Sequence, residues 1–505
     1  MKSVCGDLIL QRLGTAPASC STPMNRRLYD SIRGAILDGT LPPATRLPPQ
    51  RDLAAELRMS RNTVIFAYEQ LLAEGYLRAR TGSGTFVADI TPERYLNAAA
   101  PKDIPCGRTV QTGHARLSPR GQALLANASA SPIQWGAFMP GVPDLTRFPH
   151  QRFAQISARL WRQPDPEWLS YSHGGGMPAL REAVATHLRI ARSVQCDADQ
   201  VLITEGIHQA IDLVVRLLGS PGDRAWVEEP CYWGIRGLLQ VGGIEMDPRP
   251  VDEEGLTLPA ASERAHGAGA GTAPRFIFVT PSHQYPLGVV MSLKRRRALL
   301  EYARRHGSWI VEDDYDSEFR YSGQPIPSLQ GMQVDAPVIY IGTFSKTLYP
   351  GLRMGYMVLP RDVAKLFQDA HAELYRSGHL MTQATVAEFM RAGDYAAHIR
   401  RMRPLYARRR AILSTLVERY LGADALHGKS SNAGMHQVVA LPAHVDDVAI
   451  AASALADGVV VRPLSRYYQH NAPQRGLLLG YACVKEEDIG PAFQVLLRSI
   501  GRRCG

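Results

Sequence analysis

Six short apolar runs alternate with helical stretches between residues 201 and 359, and this alternation limits the folds open to the chain. Each run is four or five residues long and is followed by polar residues; the runs are Val201–Thr204, Ala225–Glu228, Phe276–Thr280, Trp309–Glu312, Val338–Ile341 and Gly355–Leu359. Such alternation predicts an α/β domain around a mostly parallel sheet. Ligands of open sheets bind beyond the carboxyl ends of the strands, so the residues after each run are candidates for function.

Lys346 comes five residues after the last residue of the fifth run, and Arg353 comes seven residues later. A lysine that leaves a sheet at a strand end is desolvated enough to react with the aldehyde of a cofactor. An arginine nearby is suited to an anionic group such as a phosphate. A lysine after a strand is, taken alone, more often a solvated surface residue.

Polar and aromatic residues also follow the other runs, and together they match the needs of pyridoxal phosphate. This cofactor needs an amine for its aldehyde, a carboxylate for its pyridine nitrogen, a phenol for its ring oxygen and a cup for its phosphate. The candidates are Lys346, Asp313, Tyr315, Tyr232, Arg353, Gly206, Ile207, Thr343 and Ser345. Each is weak evidence alone, but their arrival at successive strand ends is hard to attribute to coincidence.

The N-terminal part, residues 22–89, predicts three helices and a hairpin. Helices are expected over about Asn25–Leu37 and Arg51–Leu57, and a third begins after Ser60 as N-cap. A helix-turn-helix with a wing has this pattern, and the start of its third helix meets base edges and phosphates. The candidate DNA contacts are Arg51, Ser60, Arg61, Asn62, Thr63, Arg80 and Gly82. The spacing alone leaves open a small helical interaction domain.

Length and composition predict at least two domains. The chain has 505 residues, more than one core usually organises. Residues 90–119 lose periodicity and gather proline and glycine, which indicates a flexible linker before a large domain over residues 120–505. A second loose segment, residues 260–273, indicates a surface insertion.

The charge, the cysteines and the apolar runs of the sequence limit the classes of partner and location that we expect. The net charge of +10 permits contact with a polyanion, but the arginines between 400 and 410 alternate with apolar residues as on the solvated face of a long amphipathic helix. Seven scattered cysteines form no C-x-x-C pair, so we expect neither a metal site nor a disulfide framework. No apolar run approaches the roughly 20 residues of a membrane helix, and no signal peptide is evident, which predicts a cytoplasmic protein.

Longer strings in both parts resemble a known family. The segment from Leu47 to Tyr76, with Leu-Pro-Pro-Gln-Arg-Asp-Leu-Ala-Ala-Glu-Leu and Ser-Arg-Asn-Thr-Val, resembles the winged helix of GntR-family regulators. The strings Thr-Pro-Ser-His-Gln-Tyr-Pro-Leu-Gly from Thr280, Val-Glu-Asp-Asp-Tyr-Asp from Val311 and Gly-Thr-Phe-Ser-Lys-Thr-Leu from Gly342 resemble the fold-type I aminotransferase domain of MocR/GabR-type regulators. The expected fold is therefore a large α/β, fold-type I, pyridoxal-phosphate-dependent aminotransferase-like domain with a small winged helix-turn-helix domain.

The resemblance implies a role for each cofactor residue. Lys346 would form the internal aldimine, Asp313 would lie under the pyridine nitrogen, and Tyr315 would approach the ring oxygen. Tyr232 would stack on the ring. The phosphate would be held by Arg353, Thr343 and the backbone of Gly206 and Ile207.

Two positions depart from the aminotransferase pattern. An Asn-Pro-x-Gly element is replaced by Tyr285-Pro-Leu-Gly, preceded by His283 and Gln284, and the arginine that holds a substrate carboxylate is replaced by Leu478. Substitutes for that arginine are Arg236, Arg462 and Arg466, although each is as easily a surface charge.

The expected function is that of a transcription regulator which senses a small amino compound through external aldimine formation at Lys346. Transamination need not go to completion, because the carboxylate clamp is incomplete. Two alternatives remain at this point: an active aminotransferase with an autoregulatory DNA-binding domain, and a sensor of pyridoxal phosphate itself. The resemblance implies a homodimer, head-to-tail, on operator DNA with two half-sites.

Overall fold

The computed structural model describes residues 4–15, 23–80, 82–89, 117–126, 133–171, 174–259, 273–323, 326–376, 378–427, 432–469 and 473–504. It divides into an N-terminal unit, residues 1–115, and a larger unit, residues 116–505. Most of the predicted linker and of the predicted insertion lies outside the described residues. Pro119, the last residue of that linker, begins a helix.

The N-terminal unit contains the three predicted helices and the hairpin, preceded by a helix that the sequence analysis did not predict. Its elements are α1 Val4–Thr15, α2 Met24–Leu37, α3 Gln50–Glu56, α4 Arg61–Ala73, β1 Leu77–Arg80 and β2 Gly84–Val87. The additional helix, α1, buries Ile9 and Leu13 in the same core as Leu28 and Leu53. The folded unit therefore extends beyond the predicted boundary at residue 22.

Helix α4 begins where Ser60 caps it. The Ser60 hydroxyl accepts a hydrogen bond from the Thr63 backbone N–H at 3.2 Å, so one unpaired donor of the first turn is satisfied. Val64, Ala67, Tyr68 and Leu71 are buried in the core along one side of α4. The first residues of α4 consequently stay at the surface.

The larger unit is built around an eight-stranded sheet with the strand order β3-β10-β9-β8-β7-β4-β5-β6. The strands are β3 Val201–Thr204, β4 Arg224–Glu229, β5 Glu245–Asp252, β6 Gly255–Leu256, β7 Phe276–Val279, β8 Trp309–Asp314, β9 Val338–Thr343 and β10 Gly355–Val358. All six predicted runs are strands, and the sheet is mostly parallel, with β10 and β6 antiparallel to their neighbours. Strands β5 and β6, which lie at one end of the sheet, were not predicted.

Helices cover both faces of this sheet, which explains why its strands read as continuous apolar runs. Phe276 and Phe278 of β7 pack on one face, while Ile277 and Val279 pack on the other. The helices of the larger unit are α5 Pro119–Ala126, α6 His150–Arg162, α7 Pro178–Arg192, α8 Ile207–Leu218, α9 Trp233–Gly242, α10 Leu293–His306, α11 Arg361–Tyr375, α12 Leu380–Arg391, α13 Asp394–Leu421, α14 Asp447–Ala456 and α15 Glu486–Cys504. Among the residues with described placement, no helix has the length and hydropathy needed to cross a membrane.

A second, smaller sheet completes the larger unit. Its strands are β11 His436–Ala440, β12 Arg462–Pro463 and β13 Gly476–Gly480, all antiparallel in the order β11-β13-β12. Arg462 lies directly opposite Leu478 in this sheet. Phe138 joins the sheet through a bridge to Gly480, which brings the segment before α6 to the same region.

The arginine-rich stretch is the middle of α13, as the amphipathic pattern predicts. Ile399, Met402 and Tyr406 are buried along one side of the helix. Arg409 departs from the expected solvated face, since only 1 % of its side chain is exposed. Its guanidinium donates to the Asp144 carboxylate at 2.8 Å, and this buried ion pair ties α13 to the segment before α6.

We expect Arg409→Ala to destabilise the protein by about 3 kcal/mol or more, because it leaves the Asp144 carboxylate buried without its partner. Arg408→Ala is the matched control, since Arg408 is exposed and its ion pair with Glu486 should contribute less than about 1 kcal/mol. Denaturant unfolding followed by circular dichroism measures both variants. Equal midpoints for the two would contradict a structural role for the buried pair.

Candidate functional site

The carboxyl ends of β8 and β9 bring the predicted lysine and carboxylate to one edge of the sheet. The two strands are parallel, with Asp313 paired in register with Ile341. Asp313 is the last residue but one of β8, Tyr315 directly follows the strand, and Lys346 lies three residues beyond the end of β9. Thr343 closes β9, and its hydroxyl accepts a hydrogen bond from the Ser345 backbone N–H at 3.1 Å.

Lys346 is partly buried, and its amine lies against a glycine. Desolvation lowers the pKa of the Lys346 amine, while the carboxylates of Asp316 and Asp313 oppose that shift. A Cβ on Gly141 would stand 3.0 Å from Nζ of Lys346, and Gly141 has a φ of +72°, which glycine adopts without strain. The amine therefore has a larger neutral, nucleophilic fraction than a surface lysine.

Asp313 is buried and makes no side-chain hydrogen bond to any residue in the described part of the chain. Burial raises the pKa of its carboxyl well above the usual range, helped by the neighbouring charges of Asp314 and Asp316. A buried carboxylate without a donor is costly. A protonated ring nitrogen of a bound ligand would provide the missing donor.

An anion site is formed where Arg353 meets the start of α8. Arg353 adopts a left-handed backbone with a φ of 49°, and its Nη2 donates to the Glu205 carbonyl at 3.3 Å. Gly206 precedes α8, and a Cβ on it would lie 3.4 Å from that same Nη2. Backbone N–H groups at the start of a helix lack partners within the helix, so those of Ile207 and the residues after it add to the attraction for an anion.

Aromatic rings enclose the space between these groups. The Tyr232 hydroxyl lies 3.0 Å from His208 Nε2, and burial raises the pKa of that phenol to about 12. Tyr285 contacts both Tyr232 and Tyr315 edge-to-face, with ring centroids 6.1 and 5.6 Å apart. A flat aromatic ligand fits against walls of this kind.

His283 and Asp316 belong to the site, although the sequence analysis assigned no role to Asp316. Nδ1 of His283 is 2.9 Å from the Tyr315 hydroxyl and 3.1 Å from the Asp316 carboxylate. These contacts orient the phenol of Tyr315. In the sequence, only the position of Asp316 three residues after Asp313 indicated that it could belong to the site. His436 lies close to both, so the three form the one cluster with metal-ligand spacing among the described residues.

The three candidate substrate arginines differ in their surroundings. Arg236 donates to the carbonyls of Arg466 and Tyr467. Arg466 is exposed. Arg462 is partly buried and donates to the Ile133 carbonyl at 2.7 Å.

The candidate DNA surface lies at the start of α4, on the wing and at the start of α3. Ser60, Arg61 and Asn62 are exposed, Thr63 is partly buried, and Arg51, Arg80 and Gly82 are also exposed. Within the described residues, no carboxylate pairs with Arg51, Arg61 or Arg80. The sequence analysis missed Arg46, which bridges to Phe86 beside the wing and lies against Gly84. Its position just before the Leu47-Pro-Pro string was an available signal.

The fold and the two sites define a DNA-binding module joined to an aminotransferase-like domain, and comparisons with known proteins agree. Residues 24–87 match the family of bacterial regulatory proteins called the gntR family. Residues 144–496 match aminotransferase class I and II. This aminotransferase fold implies dependence on pyridoxal phosphate, and the GntR-type domain makes DNA a partner.

Relatives that align with nearly the full length of the chain show which family it belongs to. The probable rhizopine catabolism regulatory protein MocR of Rhizobium meliloti is 40 % identical over 91 % of this chain and 90 % of its own. The pyridoxine biosynthesis transcriptional regulator PdxR of Corynebacterium glutamicum is 30 % identical over 93 % and 94 %. The chain belongs to the MocR-type HTH transcriptional regulators.

Among solved structures, kynurenine aminotransferase of Pyrococcus horikoshii is similar in its fold. It has 25 % sequence identity and a TM-score of 0.66, and the match covers 79 % of this chain and 98 % of that enzyme. The similarity confirms the predicted fold-type I architecture of the larger unit.

We expect Arg61→Ala to weaken binding to a DNA duplex selected by the wild-type protein about tenfold, because an unpaired guanidinium at the start of α4 is lost. Arg26→Ala, which removes an exposed arginine of α2 paired with Asp30, should bind like the wild type. Fluorescence anisotropy at several salt concentrations measures both. An equal loss in the control, or a changed cofactor absorbance in Arg61→Ala, would contradict two separable sites.

Proposed function

We propose that the chain is a DNA-binding transcription regulator whose larger unit holds pyridoxal phosphate and exchanges Lys346 for a small amine. The observation that carries this proposal is the desolvated amine of Lys346 beside Asp313, a buried carboxylate without a donor among the described residues. The same chain carries exposed arginines at the starts of α3 and α4 and on the wing, and no carboxylate of the described residues pairs with them. A reactive site and a DNA surface in one chain serve a ligand-dependent regulator.

Each site residue has a proposed task. Asp313 keeps the pyridine nitrogen protonated, and Tyr315, oriented by His283, donates to the ring oxygen. Arg353, Thr343, Ser345 and the N–H groups at Gly206 and Ile207 hold the phosphate. Tyr232 covers the ring. The bound cofactor supplies an aldehyde that condenses with primary amines.

The proposed signal is a change in the contacts of the site. These contacts differ between the state in which the cofactor is linked to Lys346 and the state in which it is linked to the incoming amine. When an incoming amine takes the place of Lys346, that side chain regains a free amine beside Asp316 and Gly141. A ligand shifts a two-state equilibrium only through such differential interactions. We propose that the protein is a cytoplasmic homodimer with a head-to-tail arrangement, bound to two DNA half-sites. This dimer would have two conformations, and the ligand would shift the equilibrium between them.

An active aminotransferase is the second candidate, because the site has the lysine, carboxylate and phosphate groups that such an enzyme needs. Leu478 argues against efficient turnover, since it cannot hold a carboxylate and the three arginines nearby do not occupy its position. A sensor of the cofactor alone is the third reading, and it would predict that no amine changes DNA binding.

We expect Lys346→Ala to abolish the visible absorbance that pyridoxal phosphate acquires when it is bound to wild-type protein, because no other described lysine reaches the site. Lys365→Ala, at an exposed lysine of α11 paired with Asp369, should keep that absorbance. Circular dichroism and DNA binding by Lys346→Ala without ligand control for folding. Retained absorbance in Lys346→Ala would contradict the assignment of this lysine.

Incubation of the cofactor-loaded protein with a panel of amino acids and 2-oxoglutarate separates a regulator from an enzyme. We expect rapid absorbance changes with amines and less than one product per site over many minutes. Product is measured by chromatography. Sustained turnover near 1 per second or faster, the range of ordinary enzymes, would favour the aminotransferase.

A further inference from the structure

One side of α4 is turned away from the core, and a phenylalanine lies in the middle of it. The opposite side carries the four buried residues of the helix, Val64, Ala67, Tyr68 and Leu71. Because a helix turns by about 100° per residue, Asn62, Phe66 and Glu69 point away from that side. All three are exposed. Phe66 is therefore at the centre of the surface that α4 offers to a partner.

Phe66 has no place in the core of the N-terminal unit. It is 44 % exposed, whereas the tyrosines at 29, 68 and 76 are at most 4 % exposed. Its ring is not among the side chains that pack against this core. A single exposed apolar residue is ordinary on a protein surface, so its meaning depends on its neighbours.

The neighbours of Phe66 carry the charge of a DNA-binding surface. Arg61 begins the same helix, and Arg51 and Arg80 are exposed at the start of α3 and on the wing. No carboxylate in the described segments pairs with these three arginines. Their charge complements the phosphates on both sides of a DNA groove, which makes the groove, rather than an apolar protein surface, the expected occupant.

The position of Phe66 in α4 lets it reach base edges. It lies one turn after Asn62, about 6 Å further along the helix axis. That distance is close to two base-pair steps, so Asn62 and Phe66 can contact neighbouring base pairs of one half-site. The major groove admits a helix in this way, and Glu69, beyond Phe66, can accept a hydrogen bond from cytosine there.

A phenylalanine distinguishes bases by apolar contact alone, because its side chain neither donates nor accepts an ordinary hydrogen bond. The apolar group that bases present in the major groove is the 5-methyl group of thymine. Arginine and asparagine recognise guanine and adenine instead, through their hydrogen bonds. Phe66 thus offers a kind of recognition that the polar residues before it lack.

We propose that Phe66 reads a thymine in the operator half-site by packing its ring against the 5-methyl group. Phe66 is then a specificity-determining residue of the DNA surface. This inference rests on the DNA-binding part of the proposed function, and it names a base that the operator contains.

The test replaces thymine with uracil, which removes only the methyl group. A duplex selected by the wild-type protein from random-sequence DNA is remade with uracil at one thymine position at a time. Fluorescence anisotropy measures the affinity of the cofactor-loaded protein for each duplex. At one position or more, we expect the wild type to bind about fourfold more weakly, as the burial of one methyl group implies.

Phe66→Ala should bind the original duplex more weakly by at least about the same factor and should no longer respond to uracil at that position. Phe66→Leu should keep part of the response. Leu10→Ala, at an exposed leucine of α1, is the matched control and should behave like the wild type in both respects. Denaturant unfolding should give equal midpoints for the wild type and Phe66→Ala, because the ring lies outside the core.

Three results would overturn the inference: no thymine position at which uracil weakens binding by the wild type, the same response to uracil in Phe66→Ala, or a lower unfolding midpoint of Phe66→Ala. The last would show that the ring is part of the fold. If the wild type selected no duplex at all, the DNA-binding part of the proposed function would be wrong together with this inference.

Discussion

The desolvation of one amine is the constraint on which the candidate site depends. A lysine ending in solvent would be protonated and unreactive, whereas Lys346 lies at the edge of a sheet, against Gly141 and near two carboxylates. Those carboxylates oppose the loss of charge, so the site balances two effects of opposite sign. The parallel order of β8 and β9 produces this balance, because it ends both strands at the same edge.

At the same edge of the sheet, the negative and positive side chains of the site occupy different positions. Carboxylates collect at the end of β8, and the guanidinium of Arg353 lies at the start of α8. Groups of opposite charge suit a ligand that is positive at one end and negative at the other, as protonated pyridine with a phosphate is. The larger unit thus presents one place for an anion and one for a protonated ring.

The sequence predicted the elements that depend on local patterns. The six apolar runs and the Ser60 cap follow from periodicity and capping, and the structure confirms them. The sequence analysis did not predict helix α1 or strands β5 and β6, because their stability comes from tertiary contacts. Ile9 of α1 is buried in the core of the N-terminal unit, and β5 contains two prolines, which are unusual in strands. Roles for Asp316 and Gly141 depend on contacts between segments far apart in sequence, which spacing alone cannot supply. The individual roles of the predicted cofactor and DNA residues remain predictions.

The central claim is that amine exchange at Lys346 changes DNA binding. The most direct measurement is the affinity of cofactor-loaded protein for a selected DNA duplex, with and without a saturating amine that alters the cofactor absorbance, in the wild type and in Lys346→Ala. The account predicts a change of about fivefold or more in the wild type, typical of coupled sites, and none in Lys346→Ala. Identical affinities of the wild type with and without the amine, under conditions where the absorbance shows that the amine is bound, would contradict it.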